Sequence, residues 1–255
     1  MGQTIASDGD SVSSSPNRAE TIYLDLQRRI LSGELKAGQR LAAERELAVE
    51  YATNRNTLRE ALRKLEHANL VTVRHGQGVT VADFRRKGSL ALLPAFLEQG
   101  ASVAERVNVL LDLLEARARM LEMVVARAAT RSTPEDVARL KELAAEQVAG
   151  FDRGDLAAIA RGDLAWVDAL VDAAHSLPLR WTANPVIEFY RKILDRFPMI
   201  WISDAGYPGY LRGVMEAVSA SDSAAAVSTM RAFFERTDQV LVGTLEQLLE
   251  SETPQ

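Results

Sequence analysis

The chain has 255 residues, 47% hydrophobic and 25% charged, the balance of a protein that buries a sizeable core in one or two domains. It contains no cysteine, which excludes disulfides, thiol catalysis and cysteine-ligated zinc. The net charge of −5 argues against a polyanionic partner, but its distribution does not: residues 1–88 hold 14 Lys/Arg against 11 Asp/Glu, and residues 89–255 hold 16 against 24. No apolar run is long enough to span a bilayer, and there is no signal-peptide pattern. The start MGQTIASD misses the N-myristoylation pattern because Ala6 stands where Ser or Thr is needed. A cytoplasmic protein without a membrane partner is expected.

Residues 1–17 are rich in Ser, Gly and Asp without periodicity and are expected to be a disordered tail. From Glu20 the pattern becomes helical, with Ile22, Leu26, Ile30 and Leu31 on one stripe that ends near Gly33. GELKAGQRL reads as a turn and a short extended piece, and AERELAVEYA (43–52) as a short amphipathic helix. Thr53 and Asn54 suit an N-cap for the helix that follows. In that helix Arg55, Arg59 and Arg63 recur every four residues on one face, while Leu58, Ala61, Leu62 and Leu65 form an apolar face. LVTVRHGQGVTVADF has the alternation of a hairpin with a Gly-rich tip. Three helices and a hairpin over 18–82 make a winged helix-turn-helix, and DFRRKGS (83–89) reads as a linker.

The remainder, 90–250, is helical almost throughout. LALLPAFLEQ is a short first helix, and Val103–Thr130 is long, with Val107, Leu110, Leu111, Leu114, Ala118, Leu121 and Val125 at helical spacing. Thr133 before Pro134, and Asn184 before Pro185, mark two helix starts. Further helices are expected over 155–175, 207–220 and 222–249. The fold class is therefore mainly α: a winged helix-turn-helix followed by an all-α bundle.

AGQRLAAERELAVEYATNRNTLREALRKLEHANLVTVRHGQGVTV resembles the winged-helix domain of GntR-type bacterial transcription regulators. The helical half is similar in layout to the FadR subgroup, with GSLALLPAFLEQG at the junction favouring that branch. The chemistry of the residues agrees with this resemblance. Arg55 and Arg59 suit bidentate hydrogen bonds to guanine in the major groove, and Asn54, Asn56 and Thr57 suit backbone and base-edge contacts. The resemblance implies a base- or phosphate-contacting role for Arg45, and a wing tip, His75 and Gly76, that enters the minor groove between the recognition helices of a homodimer. A solvated face is the competing reading of any arginine stripe; here the stripe comes with the AERELA helix, the Asn54 start and the Gly-tipped hairpin in the right order. Arg63 and Lys64 lie late in the helix, away from the bases, and His67 reads as a surface residue.

Many relatives with such a helical domain hold a divalent metal through an Asp-x3-His pair and two later histidines. Here Asp163 is present, but Val167, Leu211 and Phe233 stand where the three imidazoles belong, so no metal and no other cofactor is expected. His175, near a helix end, suits an interaction with the macrodipole instead. The FadR protein also lacks the triad and binds long-chain acyl-CoA, which implies an effector such as acyl-CoA or another organic acid derivative. The last helix, RAFFERTDQVLVGTL, does not reproduce that protein's Gly, Ser and Trp positions. Arg117 matches an arginine that the subgroup points inward; it would pair either with an effector's acid group or internally with Asp163. Trp166, Trp201 and Tyr210 are candidates to line an effector cavity, with plain core as the alternative.

These readings converge on a ligand-responsive regulator that binds a double-stranded, inverted-repeat operator as a homodimer. One rival keeps the DNA binding but makes the helical half a pure dimerisation module. The other is an enzyme, against which stands the lack of any paired histidines, HExxH pattern or Gly-rich phosphate loop; no catalytic residue is assigned.

Overall fold

A computed structural model describes residues 18–74, 76, 78–99, 102–196 and 204–251. The expected tail at 1–17, together with His75 and Trp201, lies outside the described residues. The chain divides into two compact units, Met1–Gly100 and Ala101–Gln255.

In the first unit α1 (Arg18–Leu31), α2 (Glu44–Glu50) and α3 (Arg55–His67) precede the strands β1 (Val71–Arg74) and β2 (Gly78–Val81). The apolar stripe of α1 buries Ile22, Leu26, Ile30 and Leu31, and α3 buries Leu58, Ala61, Leu62 and Leu65, as their 3.6-residue spacing requires. Asn69, at φ 57, takes the left-handed conformation that turns α3 into β1. The strands are antiparallel, with Val71 opposite Val81 and Arg74 opposite Gly78. Arg40 adds an isolated antiparallel bridge to Thr80.

The segment expected as a linker has structure of its own. Phe84–Lys87 forms one helical turn, α4, because the Asp83 carboxylate accepts the Arg85 N–H at 3.2 Å. A 3-10 turn (Leu90–Leu92) and α5 (Leu93–Gln99) follow. The sequence pattern groups α5 with the second half, but it packs against α1 and belongs to the first unit. The reason is burial: Leu93, Phe96 and Leu97 find their apolar cover there.

The second unit is helical: α6 (Val103–Arg131), α7 (Pro134–Asp152), α8 (Leu156–Ala173), α9 (Leu177–Arg196), α10 (Tyr207–Ser219) and α11 (Ser223–Ser251). Local capping starts four of them, α11 through the Asp222 carboxylate, which accepts the Ala225 N–H at 2.9 Å. The Ser102 and Asp155 side chains accept N–H bonds, and Thr133 and Asp136 form a reciprocal capping box with Pro134 in the first turn. The two 29-residue helices α6 and α11 pack along each other, α7 packs on α8, and α10 bridges α7 and α11. Trp166, Leu170, Leu211, Val214 and Met230 sit at the centre of the shared core.

One expected boundary is corrected. The Asn184-Pro185 pair reads as a helix start, yet α9 begins at Leu177 and runs through Pro185. A proline inside a helix loses one hydrogen bond and crowds the preceding turn. Burial of Ala183, Ile187 and Phe189 on both sides of it holds the helix together. His175 is not simply a helix-end charge either: just past α8, at φ 44, its Nε2 lies 2.7 Å from Asp136 Oδ2.

Candidate nucleic-acid interface and bundle cavity

The start of α3 is organised by Asn54, whose Oδ1 accepts the Thr57 N–H at 2.9 Å. That cap spends the Asn54 carbonyl oxygen on its own helix and leaves Thr57 half-buried. Arg55 and Asn56 follow in the first turn, exposed, where the helix N-terminus favours an anion. Arg45, exposed on α2, completes this surface. Neither Arg45 nor Arg55 has an ion-pair partner among the described residues. Arg59 differs: its Nε donates to Glu44 Oε2 at 2.8 Å, tying α3 to α2. Lys64 is likewise occupied, by Glu20 at 2.6 Å, in line with its place late in the helix. Gly76, at φ 74 and exposed, sits at the hairpin tip in a conformation that β-branched side chains resist.

In the second unit Arg117 (α6), Asp163 and Val167 (α8), Tyr190 (α9), Tyr210 (α10) and Phe233 (α11) face a cavity of about 80 Å³. Arg117 pairs through Nη2 with Asp238 Oδ1 at 2.5 Å, not with Asp163. Its guanidinium also lies 4.4 Å from the centre of the Phe234 ring, and its buried Nε has no hydrogen-bond partner. Asp238, which sequence reasoning did not single out, sits in the stretch RAFFERTDQVLVGTL, 121 residues from Arg117, and no local pattern marks it. Tyr190 was missed for the same reason; burial raises its hydroxyl pKa, against the pull of Arg117.

Asp163 is buried, and the burial pushes its carboxyl up to about 6. The Tyr207 hydroxyl meets two acceptors, Gln147 Oε1 and, at 3.1 Å, Asp163 Oδ1. Gln147 Nε2 donates to the Leu143 carbonyl at 3.2 Å, which fixes the amide's orientation. One hydroxyl hydrogen cannot serve both acceptors; a protonated Asp163 supplies the second one. The geometry and the raised pKa therefore agree.

Tyr210 lines the cavity and stacks on Phe233, with ring centres 4.0 Å apart. Trp166 is a correction: it is fully buried behind Tyr210, edge-on at 6.0 Å, and does not line the cavity. Its ring is packed among core side chains, and its buried Nε1 has no hydrogen-bond partner. The donor set does not fit a divalent metal. Val167 and Phe233 present hydrocarbon to Asp163, Leu211 is turned into the core, and Asp163 itself is held by Tyr207. No group of three His, Asp or Glu side chains that could hold a metal occurs among the described residues.

An exposed, arginine-bearing helix on a winged helix-turn-helix, followed by a helical unit with a cavity, defines a DNA-binding transcription regulator. Residues 18–81 match the bacterial regulatory proteins of the gntR family, and residues 112–236 match the FCD domain. The chain is 31% identical over 227 residues to the HTH-type transcriptional regulator Mce2R of Mycobacterium tuberculosis, covering 89% of this chain and 92% of that one. It is 26% identical to the galactonate operon transcriptional repressor of Escherichia coli, over 82% of this chain and 90% of the repressor. The chain belongs to the GntR family of transcription regulators, in its FadR-like branch with an FCD effector domain. The solved structure of Lar, which controls expression of the Listeria monocytogenes agr system, shares the fold at a TM-score of 0.54 and 17% identity, over 89% of this chain and 97% of that one. The chain is a regulator and not an enzyme. No helix among the described residues is long and apolar enough to cross a membrane.

Proposed function

We propose that this regulator binds an inverted-repeat operator as a homodimer in the cytoplasm, and that a small organic acid in the cavity of its helical unit alters the binding. The observation that carries the DNA reading is the unpaired Arg55 at the capped, exposed start of α3. Arg45 and Arg59 act with it on the bases, Arg59 after exchanging Glu44 for DNA. Asn56 and Thr57 position the backbone, Asn54 does so through the cap it builds, and His75 and Gly76 form the wing tip. A two-fold dimer places its second recognition helix one turn along the duplex, which is why an inverted repeat is the operator form.

For the effector, volume decides between the candidates. A cavity of about 80 Å³, smaller than the ~150 Å³ that accommodates benzene, does not enclose a long acyl chain. A small carboxylate that takes Asp238's place at Arg117 within apolar walls fits better. The effector acts only if its affinity differs between the arrangements of the two recognition helices.

Two experiments test this reading. Selection from a random duplex pool should return an inverted repeat; asymmetric or single half-sites would refute the dimeric mode. In a thermal-shift screen, small organic acids should raise Tm and acyl-CoAs should not, since ligand at 100 times its Kd adds ~2.7 kcal/mol. A shift with acyl-CoAs alone would overturn the assignment.

A further inference from the structure

The hairpin has a second polar face that the recognition helix does not use. Val71, Val79 and Val81 point into the core, so the pleat turns Thr72, Arg74 and Thr80 outward together. The bridge between Arg40 and Thr80 brings a further arginine onto that face. The Arg40 guanidinium lies over Gly78, where an added Cβ would come within 3.3 Å of it, so the missing side chain makes its berth. From the base of the hairpin α4 adds Arg86 and Lys87. These side chains line one groove of about 830 Å³.

Its charge is one-sided. The only acid in the lining is Asp83, whose carboxylate is occupied as the cap of α4. Arg40, Arg74, Arg86 and Lys87 are all exposed, and none has an ion-pair partner among the described residues. Elsewhere in the same unit, Arg28, Arg29, Arg59 and Lys64 are each neutralised by a carboxylate. Four uncompensated cations around one groove repel each other in the free protein, and a polyanion removes that repulsion.

We propose that this outer hairpin face is a second DNA contact, one that grips the phosphate backbone beside the wing. It rests on the reading that the wing meets DNA. The groove runs the length of the strands, from Arg74 at the tip to Asp83 at the base. Four residues of strand span ~13 Å, the rise of about four phosphates along one DNA strand. Arginine and lysine supply charge-assisted bonds and the two threonines supply neutral hydroxyl donors, all of which the phosphate oxygens accept. The face therefore contributes affinity without sequence preference.

The test measures the salt dependence of the full-length protein's binding to a short duplex that lacks an operator. Arg40→Gln, Arg74→Gln, Arg86→Gln and Lys87→Gln are made singly and together. Each lost phosphate contact should lower the slope of log K against log salt by ~0.9, so the quadruple variant loses roughly 2–4 units. Arg74→Lys should restore most of the slope lost with Arg74→Gln, and discrimination between operator and non-operator DNA should not change. A quadruple variant with the wild-type slope overturns the proposal. So does a variant whose slope is kept while its melting temperature falls, which assigns the cluster to the protein's own fold. If the wild type itself fails to bind the duplex, the wing reading falls first; if only the variants match the wild type, this face alone is refuted.

Discussion

Arg55 and Arg59 occupy equivalent places on one helix face, yet they start from different states. Arg55 is unpaired, whereas Arg59 is held by Glu44 across the turn between α2 and α3. Replacing Arg55 by Ala should cost ~1–3 kcal/mol of operator binding and relax specificity at one base pair, with the fold intact. A titration showing wild-type affinity would remove Arg55 from the interface. The Arg59–Glu44 pair is exposed, and such pairs contribute only ~0.2–1 kcal/mol, so DNA can displace the glutamate. Glu44→Gln should accordingly tighten DNA binding by a few-fold and lower Tm little. Weaker binding by that variant would show that Glu44 orients Arg59 instead of competing for it.

At the scale of the elements, the helices of the second unit meet around two buried polar arrangements that respond differently to change. Asp163 has a folded pKa near 6, above the usual carboxylate value of 3.8, because burial disfavours its charge. The sign follows from the direction of the shift: the native state holds its proton more tightly, so this contribution is complete below about pH 4 and is lost as pH rises through 6. Asp163→Asn, neutral at every pH, should therefore gain ~2–3 kcal/mol relative to wild type between pH 4 and 8. Denaturant melts at several pH values measure this; parallel curves would mean that Asp163 is ionised in both states. Arg117 and Asp238 form the other arrangement, joining α6 to α11 with side chains 11% and 21% exposed. Asp238→Ala strands the guanidinium and should destabilise by about 2–4 kcal/mol, less than a fully buried pair because some solvent reaches both groups. Propionate should restore part of the lost Tm by taking the vacated place at Arg117, and propionamide should not. Equal effects of the two would argue against acid recognition at this site.

Over the whole molecule, the first unit carries the winged helix and the second the FCD domain, and under the proposed function the second takes its organic acid without a metal. Tag-free protein should carry no stoichiometric zinc, nickel or manganese by elemental analysis, and chelation should leave DNA and effector binding unchanged. Val167, Leu211 and Phe233 offer no lone pair where such an ion would need one. One equivalent of metal per chain would show that a different set of residues binds it.

Much of this architecture is local and therefore legible in the residues alone. The stripes of α1 and α3, the Asn54 cap, the Thr133 capping box and the alternation of the hairpin each depend on contacts within about four residues or on a two-residue pleat. Arg55 could be placed on the exposed face for that reason, and the missing imidazoles at Val167, Leu211 and Phe233 are a matter of residue identity. Other features were decided by packing between segments far apart in the chain. The course of α9 through Pro185 contradicts its own local signal, because buried neighbours on both sides outweigh one lost hydrogen bond. Trp166 behind the cavity and Tyr210 on its wall are alike in composition and differ only in which way their helices face. The choice of Asp238 over Asp163 as partner of Arg117 depends on how α11 lies along α6. The Asp163–Tyr207–Gln147 chain joins α8, α10 and α7. No periodicity encodes these pairings, since each arises only when tertiary burial removes water and leaves polar groups to find one another.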